Sequence, residues 1–157
     1  MPQSQKIMDM RIVSLLLLLF SSIVQAAPCT LHNELPDIIK CAEEGDSMSQ
    51  DLLGEIYYLG TEVPRNYTES FKWTSKAAKQ GEIGAENRLG FDYYNGWGTP
   101  QNHVLAYTWW SLAIVGADDP VLRKNMSDLE AELSPSELAA AQQAAEELSK
   151  KIQASRR

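Results

Sequence analysis

Shifting residues 49–84 by 36 positions onto 85–120 brings ten residues into coincidence, a self-similarity that leaves few folds open to the chain. The pairs are Leu53/Leu89, Gly54/Gly90, Tyr57/Tyr93, Tyr58/Tyr94, Gly60/Gly96, Pro64/Pro100, Asn66/Asn102, Trp73/Trp109, Ser75/Ser111 and Ala77/Ala113. Average residue usage gives roughly two such matches by chance. A partial third copy lies upstream, where Lys40, Ala42 and Gly45 precede Lys76, Ala78 and Gly81 at the same spacing. A short unit repeated at this period cannot bury its apolar face alone, so neighbouring units must stack.

Each unit reads as a helical hairpin. Leu53 and Tyr57, four apart, mark the apolar face of a first helix, with Gly54 beside them. Glycine inside a helix costs about 1 kcal/mol against alanine. Its recurrence at Gly90 therefore implies close approach of another helix, expected beneath the Trp of the second helix. Gly60 and Gly96 suit the left-handed position that ends a helix, and Pro64 and Pro100 prevent its resuming. Asn66 and Asn102 are good N-caps for a second helix, with Glu69 placed to complete a capping box. Trp73 with Ala77, and Trp109 with Ala113, share one face of that helix at a spacing of four, as core positions do.

The run Leu53-Gly54-x-x-Tyr57-x-x-Gly60, then Val63-Pro64-x-Asn66, then Trp73-x-x-Lys76-Ala77-Ala78-x-x-Gly81 resembles the Sel1-like repeat, a relative of the tetratricopeptide repeat. The second copy, Ala85-x-x-x-Leu89-Gly90-x-x-Tyr93-x-x-Gly96-Trp97-Gly98 followed by Trp109-Trp110-x-Leu112-Ala113, is similar. The likeness covers about 37–117. It departs from the usual pattern at Glu62, at Thr99, and at Asn66 and Asn102, where Asp is common; all stay compatible with the turns. The resemblance implies an all-α fold, a short right-handed α-solenoid of antiparallel helix hairpins. The partial repeat is placed at 37–48 and the full repeats at 49–84 and 85–117, within an array spanning 27–118.

Beyond the array, Asp118-Asp119-Pro120 opens a helix expected to run to about Leu133. Ser134-Pro135-Ser136-Glu137 then reads as N-cap, N1 proline and capping-box glutamate. The helix that follows carries an apolar stripe of Leu138, Ala141, Ala145, Leu148 and Ile152 on a polar background. Residues 119–157 are thus expected to be a helical cap that keeps the end of the array soluble.

At the other end, Lys6 and Arg11 precede an apolar run from Ile12 to Val24, closed by Val24-Gln25-Ala26. This is the pattern of a secretory signal peptide over 1–26, cleaved after Ala26. The alternative, a membrane anchor, has fewer than the roughly 20 apolar residues a span needs. Met8 or Met10 offers another start, and a periplasmic or secreted product follows. The chain has two cysteines, Cys29 and Cys41. An oxidising compartment favours a disulfide between them, free thiols being the other reading. The net charge of −7 becomes −8 once Lys6, Arg11 and Asp9 are removed with the leader. Such a balance argues against nucleic acid and anionic membranes as partners.

Signatures of catalysis are missing. No GxSxG elbow, phosphate loop or HExxH stretch occurs, and no Lys has a Ser three residues before it. His32 and His103 read as solvated residues near helix starts, and Glu43-Glu44, Asp118-Asp119 and Glu146-Glu147 as solvated charge. No metal-ligand spacing or cofactor motif is present. Asn66-Tyr67-Thr68 and Asn125-Met126-Ser127 match glycosylation sequons, which are common by chance.

Stacked hairpins present an extended surface that binds peptides or proteins, and the resemblance implies an adaptor in the cell envelope rather than an enzyme. Candidate partner-binding residues are aromatics that the repeat itself does not require. Trp97 stands where the first copy has Thr61, and Trp110 where it has Thr74; Tyr67, Phe91 and Tyr107 are likewise unmatched. Trp97 could instead pack over a neighbouring loop. A small protein binding peptidoglycan fragments, a weak cell-wall enzyme, and a purely structural accessory subunit remain the rival classes.

Overall fold

A computed structural model describes Cys29, residues 34–117 and residues 119–155. The expected leader and its cleavage point, His32 and Asp118 lie outside the described residues. Among those described, seven α-helices and no strand are found: α1 (Leu35–Glu44), α2 (Ser47–Leu59), α3 (Tyr67–Lys79), α4 (Ile83–Asn95), α5 (His103–Gly116), α6 (Pro120–Glu132) and α7 (Pro135–Ser155). All seven lie in one compact unit. No helix among the described residues is long and apolar enough to cross a membrane. Cys29 and Cys41 are both disulfide-bonded, and no other cysteine exists in the chain.

Successive helices pack on one another from α1 to α6, and α7 returns to pack on α5. The two hairpins α2–α3 and α4–α5 are the two repeats. Gly60 and Gly96 adopt left-handed backbone at the ends of α2 and α4, as the punctuation requires. The loops are then stitched identically. The Asn66 amide donates to the Tyr57 carbonyl at 2.9 Å, and the Asn102 amide to that of Tyr93 at 2.8 Å. Both asparagines cap the following helix, Asn66 accepting from the amides of Thr68 and Glu69, and Asn102 from that of Leu105.

The expected capping box at Asn66 does not form. Its amide is already taken by Tyr57, and the Glu69 carboxylate pairs with Lys72 at 3.1 Å instead. The box at Ser134 does form, with the Ser134 amide donating to Glu137 Oε2 at 2.9 Å and the Glu137 amide to Ser134 Oγ at 3.3 Å. Since Asn66 serves two otherwise orphaned amides, Asn66→Ala is expected to cost about 1–2 kcal/mol. A urea melt with an unchanged slope and a lowered midpoint is the expected record; an unchanged midpoint would mean that water replaces the cap.

α5 is the hub of the unit. It is largely apolar, with Ala106, Tyr107, Thr108, Trp109, Trp110 and Ala113 all buried, as a helix packed on several sides must be. α4 lies against it within the repeat, while α6 and α7 cover the rest. Tyr107 donates to Glu130 Oε1 of α6 at 2.6 Å, and Thr108 Oγ1 to the Ala141 carbonyl of α7 at 3.3 Å. The α7 stripe is buried at Ala141, Ala145 and Ile152, with Leu138 and Leu148 partly so.

The repeated glycines mark close approaches, but not under the shared tryptophan. A Cβ at Gly90 would collide with the Trp110 ring, and one at Gly54 would lie 2.5 Å from Thr74 Oγ1. Thr74 and Trp110 are the equivalent positions next to Trp73 and Trp109. One residue along a helix turns the side chain by about 100°. That rotation aims Trp110 at α4, while Trp109 joins the apolar cluster that also holds Ala77, Leu89 and Ile152.

Candidate functional site

The first helices of the two repeats supply a cleft. α2 contributes Tyr58, α4 contributes Gly84, Asn87, Arg88 and Phe91, and the loop after α4 contributes Trp97. The cleft has a volume of about 470 Å³. A second hollow of about 300 Å³ adjoins it, sharing Phe91 and Trp97 and reaching Asn95, Asn125 and Asp128 of α4 and α6. Phe91 and Trp97 therefore stand as a ridge between two compartments of one groove.

Trp97 is half-buried, and its position is fixed by aromatic contacts. Its ring stacks on Tyr67 at 5.8 Å with planes 12° apart, and lies 5.3 Å from Tyr58. Gly98 makes this possible: its left-handed backbone sits against the Tyr67 carbonyl and Phe71, where any Cβ would clash. In the other hairpin Tyr94 and His103 occupy the positions of Tyr58 and Tyr67, and they stack in turn at 5.2 Å. His103 is thus a ring partner as well as a helix-start residue. Its Nδ1 lies 3.7 Å from Glu132.

The other end of the cleft is ionic. Arg88 Nη2 lies 3.2 Å from Glu55 Oε2 and 3.4 Å from Asp51 Oδ1, so one guanidinium serves two carboxylates. Gly84 leaves room for this pairing, because a Cβ there would lie 2.8 Å from Asp51 Oδ2. Burial pushes the Asp51 carboxyl up; Arg88 opposes that, and Glu82 and Glu55 add to it. One turn beyond Arg88 on the same helix, Asp92 is only 1% exposed. Burial raises its carboxyl to about 7, against the pull of Arg88. Its Oδ2 and the Arg88 Nε both lack a hydrogen-bond partner.

A separate hollow of about 440 Å³ lies over Phe71, Leu89 and Tyr93 and is rimmed by Lys72, Lys76 and Lys79. Two of these lysines are already engaged, Lys72 by Glu69 and Lys76 by the Trp73 ring 3.7 Å below it.

Of the five aromatics expected to meet a partner, four touch the groove, Trp110 only at the wall of the smaller hollow. Trp97 and Phe91 line it, and Tyr67 supports Trp97. Trp110 and Tyr107 are core residues rather than exposed anchors, being 1% and 6% exposed. They belong to the cluster that includes Leu122, Leu129 and Ala141. The second repeat abuts α6 and α7, and its extra aromatics fill the space between. Sequence reasoning missed Asp51, Glu55 and Arg88. A signal existed: Arg88 and Asp92 occupy the positions of Leu52 and Ile56, so charge stands where the sister copy is apolar.

Comparison with known proteins agrees with this architecture. The Sel1 repeat family matches residues 47–82 and 83–114. No curated protein gives a significant match to the sequence. Among solved structures, a protective antigen present in uropathogenic Escherichia coli strains and displaying an SLR fold is similar at 26% identity and a TM-score of 0.71, over 74% of this chain and 25% of that one. A Sel1 repeat protein from Oxalobacter formigenes is similar at 30% identity and a TM-score of 0.57, over 60% of this chain and 27% of the other. The chain thus spans about a quarter of the length of either structure.

Proposed function

This chain carries two tandem Sel1 repeats, and from that premise we propose that it is an exported, non-catalytic adaptor holding a protein or peptide partner in the groove between α2, α4 and α6. The observation that carries the reading is the ridge of Phe91 and Trp97, two large aromatics left half-exposed between two adjoining hollows. Aromatic side chains held rigid in this way are favoured as interface anchors, because little conformational entropy is lost when they are covered. The disulfide supports export, since such bonds persist in oxidising compartments. A cell-envelope location, with residues 27–157 as the mature protein, is part of the same proposal.

Affinity capture from envelope extract, with residues 27–157 as bait and Trp97→Ala beside it, tests the reading. One protein enriched by the wild type is expected to be lost about tenfold or more with Trp97→Ala, as for an anchor worth roughly 2 kcal/mol. Circular dichroism of both baits controls for folding. Capture that ignores Trp97→Ala would move the interface elsewhere. Capture of nothing, together with a change in Trp fluorescence on adding muropeptides, would replace the protein partner with a cell-wall fragment.

A further inference from the structure

The groove is acidic at the end away from Asp128, whose own carboxylate is paired with Lys124 at 2.6 Å. In the larger compartment Arg88 is the one cation on the lining among the described residues, and it stands against Asp51 and Glu55, with Glu82 close enough to disturb Asp51. An arriving anion would have to draw Arg88 away from both carboxylates and then sit among them. An arriving cation needs no such rearrangement, and it relieves the repulsion that these carboxylates exert on one another. Glu55 remains half open to solvent, at 46% side-chain exposure, and so is free to turn toward a ligand.

The aromatic side of the compartment points the same way. Tyr67 stacks on one side of the Trp97 ring, and Tyr58 leans on it at a tilt of 54°. The cations placed over rings among the described residues are Arg65 over Tyr67 and Lys72 and Lys76 over Trp73, so no cation lies over Trp97. A tryptophan with no cation over it, near two carboxylates that share one guanidinium, has the composition of a receptor for a basic side chain. The line along α4 from Gly84 to Asn95 is about 16 Å long at the helical rise. That length accepts about five residues of extended chain.

Resting on the adaptor reading above, we propose that the partner enters this groove as an extended segment and places an Arg or Lys side chain between Trp97 and the Asp51–Glu55 pair. The segment then crosses the Phe91–Trp97 ridge toward Asn125 and Asp128.

The test uses blocked five-residue peptides that are identical except for a central Arg, Leu or Glu, titrated into the protein and followed by the indole NMR signal of Trp97. The Arg peptide is expected to shift that signal, and the Glu peptide to leave it in place. Raising salt from about 0.05 to 0.5 M is expected to weaken the Arg peptide severalfold, because screening shortens the reach of the carboxylates. Glu55→Gln, an exposed change that leaves the core untouched, is expected to weaken it about fivefold. Equal shifts by all three peptides, a preference for Glu, or no shift by the Arg peptide at millimolar concentration would overturn the proposal. A captured partner lost with Trp97→Ala but indifferent to Glu55→Gln and salt would overturn it too, while leaving the adaptor reading intact.

Discussion

Asp92→Asn is expected to make the protein more stable than the wild type at pH 8 and to flatten its dependence on pH. Asp92 sits in the apolar interior at the position that Ile56 fills in the first repeat. Burial raises its carboxyl from 3.8 to about 7. The folded protein therefore holds a proton at this site that the unfolded chain has already released across that window. Stability must then fall as pH rises between about 4 and 7, by up to about 1.4 kcal/mol per pH unit from this group. Below pH 4 both states are protonated and no penalty remains; above pH 7 the full penalty applies, on the order of 4 kcal/mol. Melting temperatures of both proteins between pH 4 and 8.5 check this, since other carboxylates contribute equally to each. Parallel curves would show that Asp92 ionises in the fold as easily as in water.

Gly90→Ala is expected to destabilise the protein by about 2–3 kcal/mol, although alanine is the better helix former. The propensity gain is about 1 kcal/mol. Against it stands the collision of the new methyl with the Trp110 ring, which is buried and hydrogen-bonded through Nε1 to the Asn87 carbonyl at 3.2 Å. The ring shares a core cluster with Leu122 and Leu129, and overpacking of this kind costs a few kcal/mol. A fall of about 10 °C in melting temperature follows for a unit of this size. A variant melting at or above the wild type would show that Trp110 has room to move.

These two sites also mark the limit of what the sequence discloses. The hairpins, their loops and their caps were legible because glycine, proline and asparagine act locally. Gly60 and Asn66 have the same conformational consequence wherever they occur, and the second copy at Gly96 and Asn102 confirms it. The terminal stripe from Leu138 to Ile152 was legible for the same kind of reason, since helical period alone decides which residues share a face. The destination of Trp110 was not. A mismatch between two repeats can signal either a ligand or a different neighbour, and the second repeat has α6 and α7 beside it. The carboxylates around Arg88 were hidden too, because residues 33 and 37 apart in sequence meet only through the stacking of α2 on α4.

The position of α5 under α7 bears on how the molecule comes apart. Helical arrays coupled only to nearest neighbours can unzip from an end, one hairpin at a time. Here the terminal helix lies on α5, and its Ile152 shares a cluster with Ala77 and Ala78 of the preceding repeat. Detaching α7 strips cover from the centre rather than from the edge. Loss of α7 and loss of the groove should therefore be one cooperative event, so that a protease able to clip α7 would also unmake the groove.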